Sequence, residues 1–424
     1  MEDGGLAQRK PERPQRTQAR RQRLQPFLRR LLRCGFPGWT LTRVLAGTDR
    51  MRHQTASFLR VILEKAGARV PVLLVYPEEV GDQTNRLLSA AVLWWDRLRG
   101  CRVRDADSRS QAGRSRLGPG QMLVLLPETW SERLLLMLPR FRIRFACFKY
   151  QPGDPRSLRQ IYPRPVSSSE IRAPYVMFNF AGELPGPLAE IRNAHPELDL
   201  TYRQNRWELG YLGLRVFWYD AGRGEYMFDL GRPTVWTPER RDLLEQHLEK
   251  VVRLRKFPPV EAGSFYYTVD HEQWLESLLR RDHRIVNPDF VGMIYSQVPT
   301  CLDGERKILD LLTATRTGRL AVIELKVEKD LNLIFQGIDY WERVEHHLVQ
   351  GDFRRAGYFE GLALSNRPPL LYLVSPLFEY HRVLPVLRRY LKADVSLTCI
   401  GINTNWREGI KVLRRFEFAA DRRG

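Results

Sequence analysis

The chain has 424 residues, more than one ordinary core needs, so two or three domains are expected. Its 43% hydrophobic and 28% charged composition excludes a wholly disordered polymer, and no apolar run approaches the roughly 18 residues that cross a bilayer. The formal charge of +19 admits an anionic partner but is unevenly spread: residues 1–34 carry net +7, residues 35–263 net +10 and residues 264–424 only +2. Five scattered cysteines (Cys34, Cys101, Cys147, Cys301, Cys399) form no CxxC pair, and the chain opens without an apolar segment and cleavage site. These features predict a reducing, cytoplasmic location, no membrane partner and no zinc site.

Residues 1–23 are rich in Arg, Gln and Pro and nearly devoid of apolar side chains, so a disordered basic arm is expected. Leu24, Phe27, Leu28, Leu31 and Leu32 then recur at helical spacing among Arg29, Arg30 and Arg33, a short basic amphipathic helix that ends the arm near residue 40. A surface-docking helix is the preferred reading over an arm gripping nucleic acid or a targeting peptide, which Glu2, Asp3 and Glu12 disfavour.

An α/β domain of open role is expected over 41–170. Val70–Tyr76 reads as a buried strand, Thr84–Leu98 as a helix, Met122–Leu126 as a strand, Glu128–Leu138 as a helix and Phe141–Tyr150 as a strand. The polar, Gly-rich stretch 102–121 reads as a long loop. Neither GxGxxG nor GxxxxGK[ST] is present, which leaves nucleotide binding by those routes unsupported. Residues 171–260 form a second, small α+β module. Aromatic-rich strands occupy 198–219, a turn covers Asp220 to Glu225, a strand follows over Tyr226–Leu230, and a helix starts at Thr237-Pro238 with Leu243, Leu244, Leu248, Val251 and Val252 on its apolar face. Phe257-Pro258-Pro259 ends that helix and leads to a third domain, 264–424.

The chemistry concentrates between Lys307 and Val327, where two apolar strands flank Arg316-Thr317-Gly318. With that tripeptide as the hairpin loop, Thr315 faces Arg319 and Asp310 faces Glu324. Glu324 and Lys326 emerge on the same face while Leu325 points to the opposite layer. Charges in such strands are costly to bury unpartnered. A Mg²⁺ or Mn²⁺ ion on Asp310, Glu324 and the Leu325 carbonyl would satisfy them, with Lys326 beside it to orient or deprotonate a water or to offset charge. Only 10 of the 68 basic residues are Lys, and an ammonium can give up a proton where a guanidinium cannot. On the following helix, 331–348, Gln336 and Tyr340 are one turn apart and project together.

Asp310, Glu324-Leu-Lys326 and Gln336-Gly-Ile-Asp-Tyr340 stand in the order of the D, ExK and QxxxY elements of the PD-(D/E)XK nuclease superfamily, and residues 265–424 resemble its RecB-like and NucS-like domains. Leu309 replaces the proline that often precedes the Asp. The resemblance implies an α/β, restriction-endonuclease-like αβββαβ core, with Leu370–Ser375 a strand, Leu377–Leu391 a helix and Val395–Ile402 a strand. It also implies an acidic residue on the preceding helix, Glu276 in preference to Glu272. The activity implied is metal-dependent phosphodiester hydrolysis of nucleic acid, DNA ahead of RNA, leaving a 5′-phosphate. A non-catalytic nucleic-acid or protein-binding protein on the same fold is the rival, and endo or exo action and a homodimer stay open.

Other residues have plainer readings. Adjacent His346 and His347 point to different faces of the helix and are expected at its surface or C-terminal dipole. Trp94, Trp95 and the aromatics of 202–219 are expected in cores rather than stacked on bases, and Asp339 and Glu342 on the solvated side.

Overall fold

The computed structural model describes residues 25–45, 58–77, 83–105, 116–117, 121–171, 184, 186–203 and 206–417. The expected basic arm over 1–23, Leu24 and most of the loop over 102–121 lie outside them. The architecture is mixed α/β, with two compact units over Met1–Arg164 and Pro165–Gly424. Among the described residues no helix is long and apolar enough to cross a membrane.

The first unit contains α1 (25–35), β1 (Thr40–Leu45), β2 (Phe58–Lys65), β3 (Ala68–Val75), α2 (Thr84–Asp105), β4 (Arg116–Leu117), β5 (Gln121–Pro127), α3 (Leu134–Met137), β6 (Arg144–Tyr150) and β7 (Arg159–Ile161). Its sheet runs β1-β2-β3-β5-β6-β7, with β4 also on β3. The β3, β5 and β6 strands are parallel and the outer pairs antiparallel. On α1, Leu28, Leu31 and Leu32 are buried in the core with Leu59, Val72 and Tyr150, so this basic helix is part of the fold and leaves Arg29, Arg30 and Arg33 exposed.

Two expected elements differ here and two strands are additional. The α2 helix continues to Asp105, because one glycine, Gly100, costs only about 1 kcal/mol inside a long helix. The expected helix over 128–138 shrinks to the single turn α3 and a 3₁₀ turn over Leu138–Arg140, after a bend in which Ser131 Oγ accepts from the Arg133 N–H at 3.2 Å. Strands β1 and β2 were not anticipated, since Phe58 to Leu63 is buried almost throughout and lacks a period-2 pattern.

The second unit begins with β8 (Ser169–Ile171) and α4 (Gly186–Ala194). A five-stranded antiparallel meander follows: β9 (Asp199–Arg203), β10 (Arg206–Tyr211), β11 (Leu214–Asp220), β12 (Glu225–Asp229) and β13 (Pro233–Val235). It then continues through α5 (Arg241–Leu254), α6 (Phe265–Thr268) and α7 (His271–Arg281). Leu244, Leu248 and Val251 of α5 close the meander's core with Leu209 and Phe217, whereas Leu243, expected on that face, is 41% exposed. The meander is tied to α7 through Asp199, which accepts from Ser277 Oγ at 2.7 Å and pairs with Arg280 and Arg281.

The remaining elements are β14 (Phe290–Leu302), β15 (Glu305–Thr315), β16 (Leu320–Leu325), α8 (Leu333–Gln350), α9 (Asp352–Arg355), β17 (Leu370–Pro376), α10 (Leu384–Arg389), β18 (Ser396–Ile402) and β19 (Val412–Glu417). With β8 they form one seven-stranded sheet, β19-β18-β17-β16-β15-β14-β8, in which β16, β17 and β18 are parallel and the other pairs antiparallel. The crossover from β16 to β17 runs through α8, and Gly337 lets that helix lie close, since a Cβ there would sit 2.7 Å from Leu373. The helix expected over 377–391 is broken into a 3₁₀ turn and the short α10, because Tyr380 Oη is tied to the Leu373 and Ile400 carbonyls.

Candidate active site

The hairpin between β15 and β16 sets the site. Gly318 takes a φ of 76°, the Thr315 N–H donates to the Arg319 carbonyl at 2.9 Å, and the pairing runs Ala314↔Leu320 through Leu311↔Ile323. One further step in register places Asp310 across from Glu324. Ile323 and Leu325 enter the core beneath α7 with Trp274, Leu275 and Leu279, so Glu324 between them turns to the opposite layer, beneath α8.

Glu324 is fully buried, and among the described residues neither of its carboxylate oxygens has a hydrogen-bond donor. The neighbouring Asp310 carboxyl can bond to it only through a shared proton. Burial first, and then the Asp310 charge, push the Glu324 carboxyl well above the usual range. Asp310 is half-buried and its Oδ2 accepts the Leu325 N–H at 3.0 Å. Burial raises it to about 7, with Glu276 and Glu272 adding to the rise and the Leu325 N–H and Lys326 opposing it.

Lys326 follows the end of β16, its backbone N–H bonded to the Val374 carbonyl at 3.1 Å and its Nζ to Glu272 Oε2 of α7 at 2.8 Å. Burial alone would favour the neutral amine, but the Glu272 hydrogen bond and the surrounding carboxylates outweigh it and move the ammonium upward. Lys326 therefore stays charged, which favours donating and charge-offsetting work over deprotonating a water. Glu276, one turn on, is 3% exposed, accepts from Gln297 Nε2 at 2.6 Å and lies 4.0 Å from Arg280. On α8, Gln336 Nε2 donates to Tyr340 Oη at 3.3 Å, and burial with the Glu324 charge holds the Tyr340 phenol protonated.

All the expected residues, Asp310, Glu324, Lys326, Gln336, Tyr340 and Glu276, thus come to one region, and Glu272 joins them as the lysine's partner. Gln297 was not anticipated. Its only sequence signal is its register opposite Asp310, legible once β14 is placed. Among the described residues no group of three His, Cys, Asp or Glu side chains stands arranged to hold a metal ion. The donor set that fits a cation is Asp310, Glu324 and the Leu325 carbonyl, because a hard divalent ion would satisfy the two buried Glu324 oxygens that no donor among the described residues reaches.

Two other expectations are corrected. His347 is fully buried, with Nδ1 2.6 Å from Asp352 Oδ2, and Asp339 is 4% exposed with its Oδ1 accepting from Arg343 Nε at 3.3 Å. Both face the interior because α8 is packed on two sides, so its polar residues pair inside rather than reaching water. Trp94, Trp95 and Trp218 are buried, in keeping with core packing. No protein-family model matches the chain, and no curated protein is similar to it.

Proposed function

We propose that the chain is a metal-dependent phosphodiester hydrolase of nucleic acid, with DNA the favoured substrate, and that residues 265–424 form a PD-(D/E)XK nuclease domain. The observation that carries this reading is the Glu324 carboxylate, fully buried beside Asp310 with no donor among the described residues and with Lys326 and Tyr340 close enough to interact with its charge. A structural carboxylate would be paired; one left open near the end of a wholly buried strand is kept for a ligand. The order α7, β14, β15, β16, α8, β17, with a parallel β16–β17 pair, supports the αβββαβ core.

Asp310, Glu324 and the Leu325 carbonyl would hold Mg²⁺ or Mn²⁺, which when bound polarises a phosphate and acidifies water. Glu272 fixes the Lys326 ammonium, which donates to a non-bridging oxygen and offsets the charge that grows there. Gln336 and Tyr340 offer an amide and a protonated phenol that orient the nucleic-acid backbone. The nearly neutral catalytic third leaves most phosphate attraction to the basic remainder, so binding should weaken steeply with salt. The four described free cysteines accord with a reducing, cytoplasmic setting.

The test is cleavage of end-labelled single-stranded, double-stranded and branched DNA and of RNA with Mg²⁺ or Mn²⁺, comparing wild type with Lys326→Ala and Glu324→Ala. Metal-dependent cutting that both variants lose is the expected result. No cutting of any substrate, with equal nucleic-acid binding by all three proteins, would overturn the reading.

A further inference from the structure

Within the β14 strand Gln297 alone takes a positive φ, 52°. A left-handed backbone is unfavourable for any residue with a Cβ, persists only where its surroundings over-determine it, and concentrates at ligand clamps. The pairs Ser296↔Leu311 and Val298↔Leu309 put this residue directly across from Asp310. Its side chain crosses to α7, where Nε2 donates to Glu276 Oε2 at 2.6 Å. Glu276 is nearly inaccessible to water and its charge acts on Asp310. The second Glu276 oxygen lies 4.0 Å from Arg280, too far for a hydrogen bond, so the Gln297 amide is the close donor that orients this carboxylate.

We propose that Gln297 is a positioning residue, whose left-handed backbone aims its amide at Glu276 and so holds that carboxylate at the Asp310 and Glu324 pair for cation binding. The inference rests on the metal-site reading above. It separates two effects that usually move together: the backbone at 297 costs the fold stability, and the amide it aims serves the site. Replacing Gln297 by glycine relieves the first and removes the second. Replacing it by methionine keeps the size and the strain and removes only the donor.

The experiment uses the full chain and Mn²⁺ alone as the probe, with affinity measured by calorimetry and the melting temperature by scanning fluorimetry. In Gln297→Gly and Gln297→Met, Mn²⁺ affinity is expected to fall about tenfold or more, the loss typical when a supporting partner of a ligand is removed. Both variants lose the bond to the buried Glu276, so the melting temperature of Gln297→Gly, which relieves the backbone, should exceed that of Gln297→Met, which keeps it. In a Glu276→Ala background, Gln297→Gly should cause no further loss of affinity. Unchanged Mn²⁺ affinity in Gln297→Gly, or a loss that adds in full to that of Glu276→Ala, would overturn the proposal. Wild-type protein that takes up no Mn²⁺, or Asp310→Asn and Glu324→Gln variants that bind it as wild type does, would instead refute the metal-site reading. The positioning claim is then decided by metal-free crystal structures of wild type and Gln297→Gly. A Glu276 carboxylate displaced by about 1 Å or more sustains it, and one left in place overturns it.

Discussion

Asp310 ties the stability of the metal-free protein to pH in a direction opposite to that of most carboxylates. A salt-bridged Asp usually titrates lower when folded and adds stability as pH rises; burial and neighbouring acids raise this one from 3.8 to about 7. Folding therefore favours the protonated form. Its contribution is most favourable below pH 3.8, declines as pH rises between 3.8 and about 7, and is flat above. At about 1.4 kcal/mol for each pH unit, the decline from this single group is on the order of 4 kcal/mol at most, because the half-buried carboxyl is partly screened by water. The measurement is urea denaturation of wild type and Asp310→Asn, free of metal, at intervals from pH 4 to 8. Groups remote from the site titrate equally in both proteins, and relief of Glu324, whose carboxyl the Asp310 charge pushes up, adds to the difference in the same direction, so the two curves together read the Asp310 and Glu324 pair. Asp310→Asn should gain stability over wild type progressively through pH 4–7 and hold that gain above it. Parallel curves across the whole range would refute the reasoning.

Three substitutions probe how the site is held in place. Gly337→Ala brings a methyl to 2.7 Å from Leu373 in the seam between α8 and β17; overpacking of about 1–3 kcal/mol, offset by about 1 kcal/mol of helix propensity, should lower stability modestly and reduce cleavage by moving Gln336 and Tyr340. Gly318→Ala would drive its methyl into the Ala363 carbonyl at a φ of 76°, so a loss of at least about 2 kcal/mol is expected in denaturation, where a loss confined to a few tenths would show that the hairpin loop can rearrange. Arg255 is fully buried and donates to the Leu212, Tyr266, Val269 and Asp270 carbonyls, the last immediately before α7. Arg255→Met should destabilise by about 3 kcal/mol or more, read by denaturation, and loosen the helix that carries Glu272 and Glu276.

The hairpin and its two carboxylates were legible because they depend on short-range rules. A three-residue loop with glycine at its positive-φ position fixes the strand register by counting, and the period of two assigns the faces of Glu324 and Leu325. Gln336 and Tyr340 followed from helical spacing in the same way. The broken helix before β18 differs from its expectation because a tertiary tie, Tyr380 to Leu373 and Ile400, overrides local propensity, whereas the α2 boundary moved because a single glycine is tolerated and the α3 boundary because Ser131 forms a local bend.

Composition and periodicity in this chain were enough to exclude a membrane bundle, to indicate α/β layers and to bring Asp310 beside Glu324, since each of these follows from residues near one another in sequence. Long-range packing alone decided the rest. The union of α7 with β16 selected Glu272 for Lys326 and left Glu276 to Gln297, and the close approach of α8 made Glu324 wholly inaccessible to water. Those outcomes depend on which distant segments share a layer, and no local pattern of apolar and polar residues encodes it.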